Sequence, residues 1–127
     1  MRRVLIVEDN PSDIRKSEDV LKRLGVQEIK LATTVAKAIE YLDDVRAGSR
    51  PAPDVIILDL SFSLESGFEV LRFWKSHAQL KNIRIVVWTV MGELEQQLCR
   101  LFGVKEVVPK WVTVTELEQT LKRTATV

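Results

Sequence analysis

Little in this sequence suits a covalent staple, a membrane or a nucleic acid. The single cysteine, Cys99, excludes an internal disulfide, and with the rest of the composition it points to a reduced, cytoplasmic setting. Glycine is scarce, at five residues, and no glycine-rich turn follows the first apolar run, which argues against dinucleotide binding. An excess of one charge is missing as well. Nineteen Lys and Arg against eighteen Asp and Glu leave a net charge of +1, so bulk electrostatics give no reason to expect nucleic acid or an anionic membrane as partner. No apolar run approaches a membrane span. The start, Met1-Arg2-Arg3, is followed only by Val4 to Val7 before Glu8, too short an apolar stretch for a secretion signal. A length of 127 residues fits one domain over 1–127, large enough to bury a core of its own.

What the sequence does contain is one alternation repeated five times. Val4 to Val7 precedes Asn10-Pro11, a cap and first-turn pair, and then Ile14, Leu21 and Leu24 at helical spacing up to Gly25. Ile29 to Ala32 is a weaker strand whose Lys30 points outward, as on an edge; Thr34 caps a helix with Val35, Ala38, Ile39 and Leu42 on its inner side. Arg46 to Pro53 has a linker's composition but is read as a surface loop, because neither flank has enough sheet to stand alone. Val55 to Leu58 leads through a loop to Gly67 and a helix aligning Phe68, Leu71 and Trp74. Ile83 to Trp88 leads to Leu94, Leu98, Leu101 and Phe102 on a helix closed by Gly103. Val107-Val108 leads to a helix that starts with capping-box spacing at Thr113 to Glu116 and turns Val114, Leu117 and Leu121 inward. Strict alternation of this kind predicts an α/β fold, a doubly wound parallel sheet of five strands with five helices on its two faces.

The strand ends carry the polar residues. Glu8-Asp9 ends the first run, Asp59 the third and Thr89 the fourth, while Lys110 follows Pro109 after the fifth. In an open parallel sheet these carboxyl ends share one edge, where ligand sites form. Carboxylates converging without histidine or cysteine make a hard oxygen site suited to Mg2+. A lysine and a hydroxyl beside it supply what a phosphoryl group needs, and a carboxylate can itself be the nucleophile. Together these features read as phosphoryl transfer onto an aspartate. Taken singly, Glu8 and Asp9 also suit a helix N-terminus, Thr89 is an ordinary strand former and Lys110 a solvated loop charge. His77 reads as a surface residue, Cys99 as a small buried hydrophobe and Trp74 as core mass.

The motifs "VEDN" at Val7 to Asn10, "LDL" at Leu58 to Leu60, Gly67 eight positions after Asp59, "WT" at Trp88-Thr89 and "PK" at Pro109-Lys110 resemble those of a response regulator receiver domain over essentially the whole chain. The resemblance implies a flavodoxin-like strand order of 2-1-3-4-5, an order of which receivers are themselves a standard example. It implies Asp59 as phosphoacceptor, a metal held by Asp9, Asp59 and the Ser61 main-chain carbonyl with Glu8 assisting through water, Thr89 on a phosphoryl oxygen, and Lys110 pairing with Asp59 and then with the phosphate. It implies signalling rather than turnover, a histidine kinase or phosphotransfer protein as donor, and a downstream partner or a second copy meeting the face made by the fourth helix, fifth strand and fifth helix. A chain that ends at Val127 is expected to lack an output domain.

Departures from that pattern fall mainly in the second half. Ser63 stands where receivers have proline, Val90 where they have a small residue after the threonine, Val107 where they have a switch aromatic, and Trp111 where a proline follows the lysine. The last change predicts a loop that places Lys110 differently. Ser61 and Met91 are expected to influence phosphoryl lifetime by flanking the path of an attacking water. These changes keep open an alternative, a receiver-like interaction module acting without phosphorylation. A phosphohydrolase of the haloacid dehalogenase kind is disfavoured, because it needs a second acid where this chain has Ser61.

Overall fold

The computed structural model describes residues 1–62, 66–90, 92–111 and 113–125; Ser63 and Met91 lie outside them. Within them are strands β1 (Arg3–Val7), β2 (Glu28–Ala32), β3 (Val55–Leu58), β4 (Arg84–Thr89) and β5 (Glu106–Pro109), alternating with helices α1 (Pro11–Arg23), α2 (Val35–Arg46), α3 (Phe68–Ser76), α4 (Glu93–Leu101) and α5 (Val114–Ala125). A short 3₁₀ turn at Ala78–Leu80, unforeseen in the sequence, precedes β4. All strand pairs are parallel, in the order β2-β1-β3-β4-β5.

Alternation of side chains across the pleat explains the near-continuous apolar strands. Val4, Ile6, Val55, Ile57, Val86 and Trp88 face one side and pack with Val20 and Leu21 of α1 and Leu117 and Leu121 of α5. Leu5, Val7, Ile56, Leu58, Ile85 and Val87 face the other side and pack with Leu42 of α2, Leu71 of α3 and Cys99 of α4. Edge strand β2 leaves Lys30 and Leu31 exposed.

Helix starts follow local chemistry. Asn10 Oδ1 accepts the Asp13 N–H at 3.0 Å with Pro11 in the first turn, and Thr34 Oγ1 accepts the Lys37 N–H at 3.1 Å. His77 closes α3, its Nδ1 2.9 Å from Phe73 O. In α4 the buried side belongs to Cys99, with Phe102 beyond the helix end tilted against Phe68, and the periodic leucines Leu94, Leu98 and Leu101 face solvent. A 3.6-residue period identifies a helix but not the side on which the sheet lies. No helix among the described residues is long and apolar enough to cross a membrane.

Candidate functional site

Backbone pairing runs one residue past three strands and so fixes Glu8, Asp59 and Lys110 at the carboxyl edge. The Glu8 N–H donates to Ala32 O (3.1 Å), the Asp59 N–H to Val7 O (3.0 Å) and the Lys110 N–H to Thr89 O (2.9 Å). Gly67 closes the loop after β3, donating its N–H to Leu60 O at 3.1 Å. It lies so close to β3's exit that a Cβ there would sit 2.4 Å from Asp59 O and 2.6 Å from Leu60 Cα. Space, rather than backbone freedom, requires glycine: its φ is −63°.

One carboxylate oxygen from each of Glu8, Asp9 and Asp59 lies within 4.8 Å of the others, with Glu8 and Asp59 buried and Asp9 partly so. Three hard oxygen donors without histidine or cysteine fit a divalent cation. Asp59 is only 3% exposed. Its Oδ1 accepts from Thr89 Oγ1 at 2.5 Å and from the Ser61 N–H at 3.0 Å. Thr89 Oγ1 accepts in turn from the Leu60 N–H at 3.2 Å and lies 3.4 Å from Ser61 Oγ. On the other oxygen, Asp59 Oδ2 meets Lys110 Nζ at 3.2 Å. The loop after β5 therefore does bring Lys110 to Asp59 in spite of Trp111; there is no cis peptide bond among the described residues.

Lys110 is shared more widely than the sequence suggested. Nζ lies 2.6 Å from Glu8 Oε1 and 2.7 Å from Asp13 Oδ2, and 5.1 Å from the centre of the Trp88 ring. Burial alone lowers the pKa of the ammonium, but the bonds to Asp13 and Glu8 outweigh it and the net shift is upward. The Glu8 carboxyl is pushed up to about 7, chiefly by burial and next by its hydrogen bond with Asp59, against the opposing pull of Lys110. Sequence reasoning gave Asp13 no role. The available signal was its place in the first turn of α1, just after the Glu8-Asp9 strand end. Trp88 offered no signal beyond adjoining Thr89; its Nε1 is buried without a hydrogen-bond partner among the described residues.

Of the departures, Val90 and Trp111 are each 63% exposed, and Val107 is partly buried against the α2–α4 cluster. With Leu94, Leu98 and Leu101 of α4, Val90 and Trp111 make up five of the six large exposed apolar side chains among the described residues.

Comparison with known proteins agrees with this geometry. The model of the family described as response regulator receiver domain matches residues 4–122. Protein PilH of Pseudomonas aeruginosa is 27% identical over 124 residues, spanning 98% of this chain and 94% of its own. Among solved structures, the phosphorylated cyanobacterial phytochrome response regulator RcpA superposes with a TM-score of 0.82 at 29% identity, covering 96% of this chain and 89% of that one. The Mn2+-bound form of response regulator Rcp1 gives 0.81 at 25% identity, covering 97% and 91%.

Proposed function

This chain belongs to the response regulator receiver domain family, and from that premise we propose that it is the phosphoacceptor switch of a two-component phosphorelay, with Asp59 as acceptor. The observation that carries the reading is the setting of Asp59: buried at the end of β3, with the Thr89 hydroxyl on one oxygen, the Lys110 ammonium on the other, and Glu8 and Asp9 within cation-sharing distance.

In the reaction, an Asp59 oxygen attacks the phosphorus of a phosphohistidine on a kinase or phosphotransfer protein. The O–P bond forms as the N–P bond breaks, and the imidazole leaves with the electron pair. Thr89 redirects its hydroxyl proton from the carboxylate to a phosphoryl oxygen, and Lys110 follows the negative charge from Asp59 to the phosphoryl group. Glu8, Asp9 and Asp59, with the Ser61 carbonyl, would hold Mg2+, which when bound supplies charge neutralisation on the phosphoryl oxygens. The carboxylate donor set and the Mn2+-bound relative support that assignment.

Output runs through the face formed by α4, β5 and α5. The exposed Leu94, Leu98, Leu101 and Trp111 support it, because an apolar patch of that kind marks a contact surface. Labelling with a small acyl phosphodonor and Mg2+, compared between wild type and Asp59→Asn, tests the acceptor. Label in the first and none in the second is expected. A second reading, signalling without phosphate, is favoured by the departures at Val90, Val107 and Trp111; absence of label in wild type selects it.

A further inference from the structure

Lys110 has three N–H donors and three carboxylate acceptors, and only two of those acceptors belong to the carboxylate group that fits a cation. Glu8 and Asp59 are in that group. Asp13 is not, yet its Oδ2 lies 2.7 Å from the ammonium while Asp59 Oδ2 is 3.2 Å away. An acid in the first turn of α1 is favoured by the helix dipole alone. The dipole, however, does not require that acid to be four-fifths buried and bonded to a lysine 97 residues away. Asp13 is also fixed from behind, since its N–H is tied to Asn10 Oδ1 and its carbonyl accepts from the Ser17 hydroxyl at 2.8 Å.

We propose that Asp13 is a positioning residue for Lys110. It is a permanent acceptor on α1 that holds the ammonium beside the site and leaves Glu8 and Asp59 free for a cation and a phosphoryl group. Without it, every acceptor of a largely buried ammonium is a carboxylate with another duty, so the lysine competes with the cation for both. With it, the bond to Asp13 persists throughout while the bonds to Glu8 and Asp59 are the ones that change. The Trp88 ring adds to the cradle from another side, 5.1 Å from Nζ. This inference rests on the phosphoacceptor reading for the second half of its consequence, the ease with which Lys110 passes to the phosphoryl group; the first half, relief of competition for the cation, stands without it.

The test is a double-mutant cycle on divalent cation affinity, measured by calorimetry with Mg2+ and with Mn2+ on wild type, Asp13→Asn, Lys110→Met and the double variant, each checked for folding by circular dichroism. Exchanging aspartate for asparagine keeps the side chain's shape and an acceptor oxygen but removes the charge. Cation binding weakened about tenfold by Asp13→Asn in the presence of Lys110, and nearly unchanged by it in the Lys110→Met background, is the expected result. Asp13→Glu restores part of the affinity. An equal loss in both backgrounds would mean that Asp13 acts through its charge on the cation and not through Lys110, which overturns the proposal. So does no loss in either background, or a wild type that binds neither cation. If wild type binds the cation and the cycle couples, but no phosphodonor labels Asp59, the phosphoacceptor reading fails while the positioning of Lys110 stands.

Discussion

Replacing Gly67 by alanine puts a number on how tightly the loop after β3 is pressed against Asp59. The added Cβ would meet Asp59 O at 2.4 Å and Leu60 Cα at 2.6 Å, both backbone atoms with no rotamer to yield. Relieving the overlap requires the two segments to separate by roughly 1 Å. The Gly67 N–H to Leu60 O bond, now 3.1 Å, would then pass out of hydrogen-bonding range. Overpacking strain and the lost bond together predict a destabilisation of about 2–4 kcal/mol. Because the displaced atoms include those that aim the Asp59 side chain, the labelling rate should fall by about two orders of magnitude in the fraction that remains folded. Urea unfolding followed by tryptophan fluorescence measures the first effect, and phosphodonor labelling well below the transition measures the second. Gly25→Ala is the matched control: its φ is +77° with nothing within 4 Å of a Cβ, so it should cost about 1 kcal/mol through the backbone and leave labelling unchanged. Gly67→Ala unfolding within about 0.5 kcal/mol of wild type and labelling normally would refute the steric reasoning.

Other perturbations separate the parts of the account. The folded Glu8 pKa of about 7 lies above its ordinary 4.5, so the folded state holds that proton more tightly than the unfolded one. Stability from this group is fully present below 4.5 and is lost as pH rises through about 7. Cation affinity runs the other way, strengthening from about pH 6 to about pH 8 as Glu8 ionises, and calorimetry showing equal affinity at the two values would contradict the assignment. Trp111→Ala should leave labelling largely intact while impairing phosphodonor-dependent association in sedimentation; an unchanged response would exclude the route through Trp111. Leu94→Gln with Leu101→Gln should shift unfolding by no more than about 0.5 kcal/mol, since both side chains are exposed, yet weaken partner or self-association. A larger stability loss would place these leucines in the core.

The sheet was legible because its strands are buried on both faces. Runs such as Val55 to Leu58 have few other uses, and the polar residues that follow them are visible against the apolar background. Asp59, Thr89 and Lys110 could be assembled on one edge from topology alone. Three features were not readable. The side of α4 that meets the sheet is decided by Cys99 and Phe102, smaller in number than the leucines on the opposite side, so periodicity points at the stripe that stays outside. Asp13 looked like an ordinary first-turn acid, and its meeting with Lys110 depends on how α1 sits relative to the end of β5, a tertiary fact. Trp111 suggested a displaced lysine, whereas the Lys110 N–H to Thr89 O bond prolongs the β4–β5 ladder and holds Lys110 in place whatever residue comes next.

The most direct measurement is the chemical identity of residue 59 after exposure to a phosphodonor. Borohydride reduces an aspartyl phosphate to homoserine and leaves a free aspartate untouched, so peptide sequencing by mass spectrometry reads the acceptor position. Treatment with a small acyl phosphodonor and Mg2+, followed by borohydride, should yield homoserine at position 59 and at no other acidic residue, and chelation of the cation beforehand should suppress it. Aspartate recovered intact at position 59, whether or not another residue carries the phosphoryl group, would contradict the assignment of Asp59 as acceptor.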